Sequence, residues 1–98
     1  MFEKVLPIGT IVLLKGGNKR VMIIGHCKYN GSDRSKIYDY AGCVYPEGYT
    51  RPDQTALFDH DQIDVVFSLG YRNGKQYEFQ KKLEKALAIA KKALYNAF

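Results

Sequence analysis

The sequence has no tryptophan, few cysteines and prolines, and no long apolar run. Its longest aliphatic run, Ile11 to Leu14, is far too short to cross a bilayer. The first five residues also lack the apolar stretch of a secretory signal. Cys27 and Cys43 are expected to act as small apolar residues in a reducing cytoplasm, although a disulfide between neighbouring strands stays open. These absences predict a cytoplasmic protein without a membrane span.

Catalytic motifs are equally scarce. His60 lies between Asp59 and Asp61, where a carboxylate could orient an imidazole as a base. No nucleophile motif accompanies this triplet, and adjacent side chains point apart in extended structure. The spacing favours a tight structural turn in which Asp59 caps the amides that follow. We therefore predict that the protein is not an enzyme.

Cofactor and metal sites are not indicated either. The candidate zinc ligands His26, Cys27, Cys43 and His60 include neither a C-x-x-C nor an H-x-x-x-H pair. The glycines at 16–17 lie between two apolar strand-like runs, whereas a phosphate-binding loop lies between a strand and a helix. The sequence thus predicts no cofactor and no metal.

The positive charge is concentrated at one end of the chain. Net charge is +5; up to Asn73 there are nine lysines and arginines against eight acidic residues, and from Gly74 onward six against two. A basic tail can attract nucleic acid or an acidic protein, and eight tyrosines and five phenylalanines could stack on bases. Because this charge is not interleaved with the tyrosines, nucleic acid is the less favoured partner. A solvated helix face and buried rings explain the pattern better.

Residues 6–25 predict a β-hairpin, since two β-branched apolar runs flank Gly16, Gly17 and Asn18. Its strands are expected at about 10–15 and 20–27. Both runs are nearly continuous, so each strand should be covered on both faces for part of its length. Residues 28–36 are polar and are expected to form an exposed loop.

Three more strands are expected after this loop, at 37–45, 55–58 and 63–69. Gly42 within the first of them indicates a bulge or a close backbone approach. From Lys75 the period becomes helical, with an apolar face that must dock on the sheet or on another chain. That face comprises Phe79, Leu83, Ala86, Leu87, Ala90, Leu94 and Ala97.

The predicted fold is therefore α+β: a small, bent, antiparallel five-stranded sheet or an SH3-like barrel, followed by one C-terminal amphipathic helix. Residues 1–98 are expected to form a single domain, with a β-rich body over 1–72 and the helix over 73–98.

Three blocks of sequence, in the same order, resemble a known family. They are LPIGTIVLLKGG at 6–17, IYDYAGCVYPEG at 37–48, and FDHDQI at 58–63 with Gly70-Tyr71. The blocks are similar to those of the small uncharacterised domain encoded beside LXG polymorphic toxins in Gram-positive type VII secretion clusters. The resemblance implies a cytoplasmic accessory protein that binds an LXG effector before export, as a chaperone or targeting adaptor. It implies no catalytic residues.

Partner binding is the function that the residues and the resemblance share. The apolar helix face could hold a partner, and so could a strand edge or the loop from Tyr29. A nucleic-acid-binding small barrel, a toxin immunity protein and a homodimer through the helix remain alternatives. The candidate partner-binding residues are Phe79, Leu83, Leu87, Leu94, Tyr29, Tyr38 and Tyr40.

Overall fold

The structure, a computed structural model, describes residues 5–30 and 33–97. Within these residues it contains five strands and one α-helix, with short 3-10 turns before and after the fourth strand. The elements are β1 (Ile11–Leu14), β2 (Val21–Asn30), β3 (Asp33–Val44), β4 (Ala56–Phe58), β5 (Ile63–Ser68) and α1 (Gly74–Ala97), with 3-10 turns at Pro52–Gln54 and His60–Gln62.

The strands form one antiparallel sheet in the order β4-β3-β2-β1-β5. In the described part of the chain β4 and β5 each have a single neighbour, so the sheet is open and these strands are its edges. The predicted small α+β fold is confirmed, in its open-sheet form.

The predicted loop over residues 28–36 is wrong. β2 continues to Asn30 and β3 begins at Asp33, so most of this polar stretch forms a long hairpin. Tyr29 pairs with Ile37, which is only 4% exposed, and Tyr29 itself packs against the core. Because these apolar side chains are buried across the strands, the hairpin persists despite its turn-like composition.

Gly42 marks a close backbone approach, as its position in a strand predicted. A Cβ at this position would lie 2.5 Å from Cγ1 of Val21 and 2.9 Å from the carbonyl oxygen of Met22. The irregularity in register is on the opposite strand, where Ile23 pairs with Gly42 and Gly25 pairs with Ala41, which leaves Ile24 as an extra residue on β2. The bulge therefore belongs to β2, and glycine is needed on β3 because the bulged strand comes close to it.

Helix α1 docks on its own sheet, over β2 and β3. Leu83 and Leu87 are 8% and 1% exposed and join Val12 and Ile23 in one apolar core. Burying a leucine side chain contributes roughly 1.5–3 kcal/mol, so these two residues contribute strongly to the attraction between helix and sheet, with Ala90 and Leu94 packed against the same core. Phe79, predicted on the same face, is 55% exposed because it lies at the border of the apolar stripe.

The connection from β5 to α1 passes close to the segment before β1. Gly70 donates its N–H to Oγ1 of Thr10 at 3.1 Å, and a Cβ on Gly70 would lie 1.9 Å from the carbonyl oxygen of Ile8. Asn73 precedes helix α1 and caps it, because its side-chain oxygen accepts the N–H of Gln76 at 2.9 Å. Only glycine leaves room for this crossing.

We predict that Gly70→Ala destabilises the protein by about 2 kcal/mol, because two backbone segments would have to separate. Gly74→Ala is the matched control, since no atom lies within 4 Å of a Cβ at that position. The control should change stability by less than about 0.5 kcal/mol. Urea unfolding of the three proteins measures both effects, and equal stabilities for the two variants would contradict the proposed steric cause.

Candidate protein-binding surface

Two carboxylates and one lysine join the helix to the sheet. Asp39 on β3 is 2% exposed, and Nζ of Lys91 on α1 lies 2.6 Å from its Oδ1. The same ammonium group lies 3.1 Å from Oδ1 of Asp59, whose other oxygen pairs with Nζ of Lys36 at 3.0 Å. This cluster connects α1, β3 and the segment after β4 at one point.

The electrostatics of the cluster favour its charged forms. Burial alone would raise the pKa of Asp59, but the Asp39 N–H and the ammonium groups of Lys36 and Lys91 hold it below its usual value. Burial alone would lower the pKa of Lys91, but the two carboxylates raise it. Asp59 and Lys91 are therefore charged at neutral pH, and the cluster acts as a structural clamp between helix and sheet.

The turn at His60–Gln62 is built on the same carboxylates. The His60 N–H donates to Oδ2 of Asp39 at 2.9 Å, and the Asp59 N–H donates to Oε1 of Gln62 at 2.8 Å. The tight turn predicted here is present. The carboxylate of Asp59 faces β3 and the lysines, so the sequence identified the turn correctly but missed the ionic role of this residue.

A second cluster fixes the segment before β1. The Leu6 N–H donates to the hydroxyl of Tyr40 at 3.0 Å, and Nε2 of His26 donates to the Leu6 carbonyl at 2.8 Å. A further hydrogen bond of 2.7 Å joins the Tyr40 hydroxyl to Nδ1 of His60. Burial lowers the pKa of His26 and raises that of Tyr40. Both side chains are therefore uncharged at neutral pH and serve to hold the chain in place.

Most of the predicted partner-binding residues lie in or beside the protein's own core. Fully buried are Tyr40, Leu83 and Leu87. Half-buried against the same core are Tyr29 and Leu94. Tyr38 is half-buried beneath Nζ of Lys36, and Phe79 is 55% exposed. In this fold, Phe79 is thus the most accessible member of the predicted set.

The residues weighed as zinc ligands, His26, Cys27, Cys43 and His60, do not form a group of three or more in the described part of the chain. Cys43 is buried, Cys27 is half-buried, and both thiols are free. Across residues 5–30 and 33–97 no three histidine, cysteine, aspartate or glutamate side chains are grouped as metal ligands. In the same ranges, no helix has the length and apolarity needed to cross a membrane.

A run of exposed apolar side chains lies on β5 and on Leu69, which follows the strand. The run comprises Val65, Val66, Phe67 and Leu69, which are 39%, 44%, 45% and 46% exposed. Successive side chains of a strand point to opposite faces, so both faces of the strand are exposed here. In the described ranges β5 pairs with β1 alone, so the backbone groups on its other side have no sheet partner. An apolar strand at an open edge is a typical site of strand pairing with another chain.

The sheet face opposite the helix continues this apolar region. Val12 and Val21 form a cross-strand pair in the core, so the neighbouring pair of Ile11 and Met22 points to the other face. Leu13 pairs with Val65 on that same side. We call the set Ile11, Leu13, Met22, Val65 and Phe67 the outer surface. None of its members is fully buried.

Sequence reasoning missed the outer surface, although a signal for it was present. The continuous apolar runs around Ile11–Leu14 and Val21–Ile24 indicated that both faces of these strands need cover. Helix α1 covers one face of these strands, whereas on the other face Ile11, Leu13 and Met22 are half-buried and Val65 and Phe67 are exposed. The continuous apolar runs therefore indicated a second apolar face, which the helix does not cover.

We predict that Lys91→Met destabilises the protein by about 2 kcal/mol because Asp39 would lose its counter-ion while remaining buried. The loss is smaller than for a fully buried pair, since the Lys91 side chain is 36% exposed. Lys92→Met, which removes an exposed lysine next to it, is the control and should leave the urea midpoint nearly unchanged. Equal effects of the two substitutions would show that the Asp39–Lys91 pair is not a clamp.

Stability should also decrease in mild acid. Burial lowers the folded-state pKa of His26 below 6.5, so its contribution is complete above that pH and is lost as the pH falls towards the folded value. His26→Gln keeps a donor for the Leu6 carbonyl and should lose less stability between pH 7 and pH 5. The lowered pKa of Asp59 acts only below about pH 4 and does not enter this window. Parallel stability curves for the two proteins would rule out His26 as the cause.

Comparison with known proteins places the chain in a family. Searches of curated proteins and of solved structures found no significant match. The family model described as "Domain of unknown function (DUF4176)" matches residues 5–79. The match includes all five strands and the first turns of α1, but ends before Leu83 and Leu87. This chain therefore belongs to the DUF4176 family of domains of unknown function.

Proposed function

We propose that this protein is a non-enzymatic accessory protein that binds an LXG effector in the cytoplasm before type VII secretion, as a chaperone or targeting adaptor. The observation that supports binding is the exposed apolar strand β5 next to Ile11, Leu13 and Met22, the half-buried members of the outer surface. The identity of the partner rests on the similarity of the three sequence blocks to domains encoded beside LXG toxins.

Magnitudes indicate how large the interface has to be. Each side chain of the exposed apolar run exposes 39% to 46% of its surface. Covering one of them completely therefore contributes on the order of 1 kcal/mol, about half of the free energy for burying a fully exposed apolar side chain. Association itself costs roughly 4 kcal/mol or more in lost translation and rotation. Val65, Val66, Phe67 and Leu69 thus only offset that cost, and stable binding also requires the rest of the outer surface, Ile11, Leu13 and Met22.

The nucleic-acid alternative loses part of its basis in this structure. Among the tyrosines that are candidates for base stacking, Tyr40 is fully buried and bonded to Leu6 and His60, whereas Tyr45 and Tyr49 are 43% and 58% exposed. Tyr38 is half-buried beneath Lys36. An exposed apolar strand also suits a protein partner better than a phosphate backbone, which is recognised by charge.

Co-expression with the LXG protein encoded beside it tests the proposal. We expect a complex that co-purifies at low and moderate salt. Phe67→Glu, which places a charge on the outer surface, should weaken the complex at least tenfold. Ile89→Glu is the matched control, because Ile89 is an apolar residue of α1 that is 71% exposed. Circular dichroism establishes that both variants are folded.

The outcomes separate the alternatives. If the unmodified protein does not co-purify with the effector, the proposed function is wrong. If Ile89→Glu disrupts the complex and Phe67→Glu does not, the helix is the binding element and β5 is not. Protection of cells that express only the toxin domain would identify an immunity protein instead.

A further inference from the structure

We infer that the partner contributes an extended segment that pairs with the open edge of β5 as a sixth strand of the sheet. This inference rests on the proposed function and specifies how the same site binds. On the side away from β1, the backbone N–H and C=O groups of β5 have no sheet partner in residues 5–30 and 33–97. A peptide strand supplies the complementary groups in one row, which a helix cannot do.

The irregular register of β5 argues against a second copy as the occupant. Val66 pairs with Val12 and Ser68 with Ile11, so Phe67 is an extra residue on β5. A second shift leaves Asp64 without an opposite residue. Two bulges within six residues twist the strand, and two such edges, each fixed in a folded sheet, cannot align along their length. A flexible single segment can follow the twist.

The side chains around the edge define the chemistry of the segment. The guanidinium carbon of Arg20 lies 4.1 Å from the centre of the Phe67 ring, and within the described ranges Arg20 forms no salt bridge. A strand added to β5 would place alternate side chains beside Val65 and Phe67. The complementary segment therefore has apolar residues at alternate positions and a carboxylate within reach of Arg20.

Amide hydrogen exchange of the protein alone and in complex with the effector tests strand addition. Amides of β5 that do not face β1 should exchange at least tenfold more slowly in the complex, because a new strand would bond them. The other edge strand, β4, is the internal control and should exchange at an unchanged rate. Arg20→Ala should weaken binding about tenfold, with a smaller effect at high salt, whereas Arg72→Ala at another exposed position should not.

Each result decides the question. A complex that forms without added protection of β5 would overturn strand addition while leaving the proposed function intact. Failure of the unmodified protein to bind the effector would overturn both. Sedimentation of the protein alone should show a monomer. A concentration-dependent dimer with β5 protected would make a second copy the occupant and would also overturn the inference.

Discussion

The buried carboxylate of Asp39 is the constraint on which the arrangement of helix and sheet depends. At 2% exposure, an ionised carboxylate without a counter-ion would cost several kcal/mol. Lys91, more than fifty positions later in the chain, supplies that counter-ion. The apolar contacts of Leu83 and Leu87 are non-directional and would allow the helix to slide, whereas the ion pair fixes its position along β3.

The position of α1 in turn determines which surface stays open. A single helix is about 10 Å wide, and strands lie about 4.8 Å apart, so one helix covers about two strands of a sheet. Here it covers β2 and β3 on one face, which leaves β5 at the margin of that face and the outer surface without a helix. The exposed apolar strand is therefore a geometric consequence of how the helix is held.

The sequence predicted the type and position of the helix and strands better than the contacts between them. The helix, the strand at Gly42 and the turn at His60 were visible from period and composition, because these features depend on residues close together in the chain. The hairpin through Tyr29 was missed, since its polar residues resemble a loop and only the buried pairing of Tyr29 with Ile37 explains the strand. Tyr40 lies in a predicted strand, but its burial depends on contacts with Leu6 and His60, which are remote in sequence.

The sequence could not predict that β5 lies at an open edge of the sheet, because the position of a strand in the sheet depends on the topology of the whole chain. The strand at residues 63–68 has the composition of an inner strand, and nothing within it shows that β1 is its one partner in the described sheet. Likewise, Asp39 alternates with tyrosines as a solvent-facing residue would, and its counter-ion is remote in sequence. Long-range pairings of this kind have no local pattern to reveal them.

The bulges of β5 restrict which strands can pair with its open edge. A long, flat, apolar edge strand would pair with any other sheet edge, including that of another copy. The extra residues at Asp64 and Phe67 twist the strand, so pairing with another folded edge becomes unfavourable while the backbone groups remain accessible. This selectivity for an extended segment is what the inferred strand addition requires, because a segment already folded into a sheet has no strand to offer.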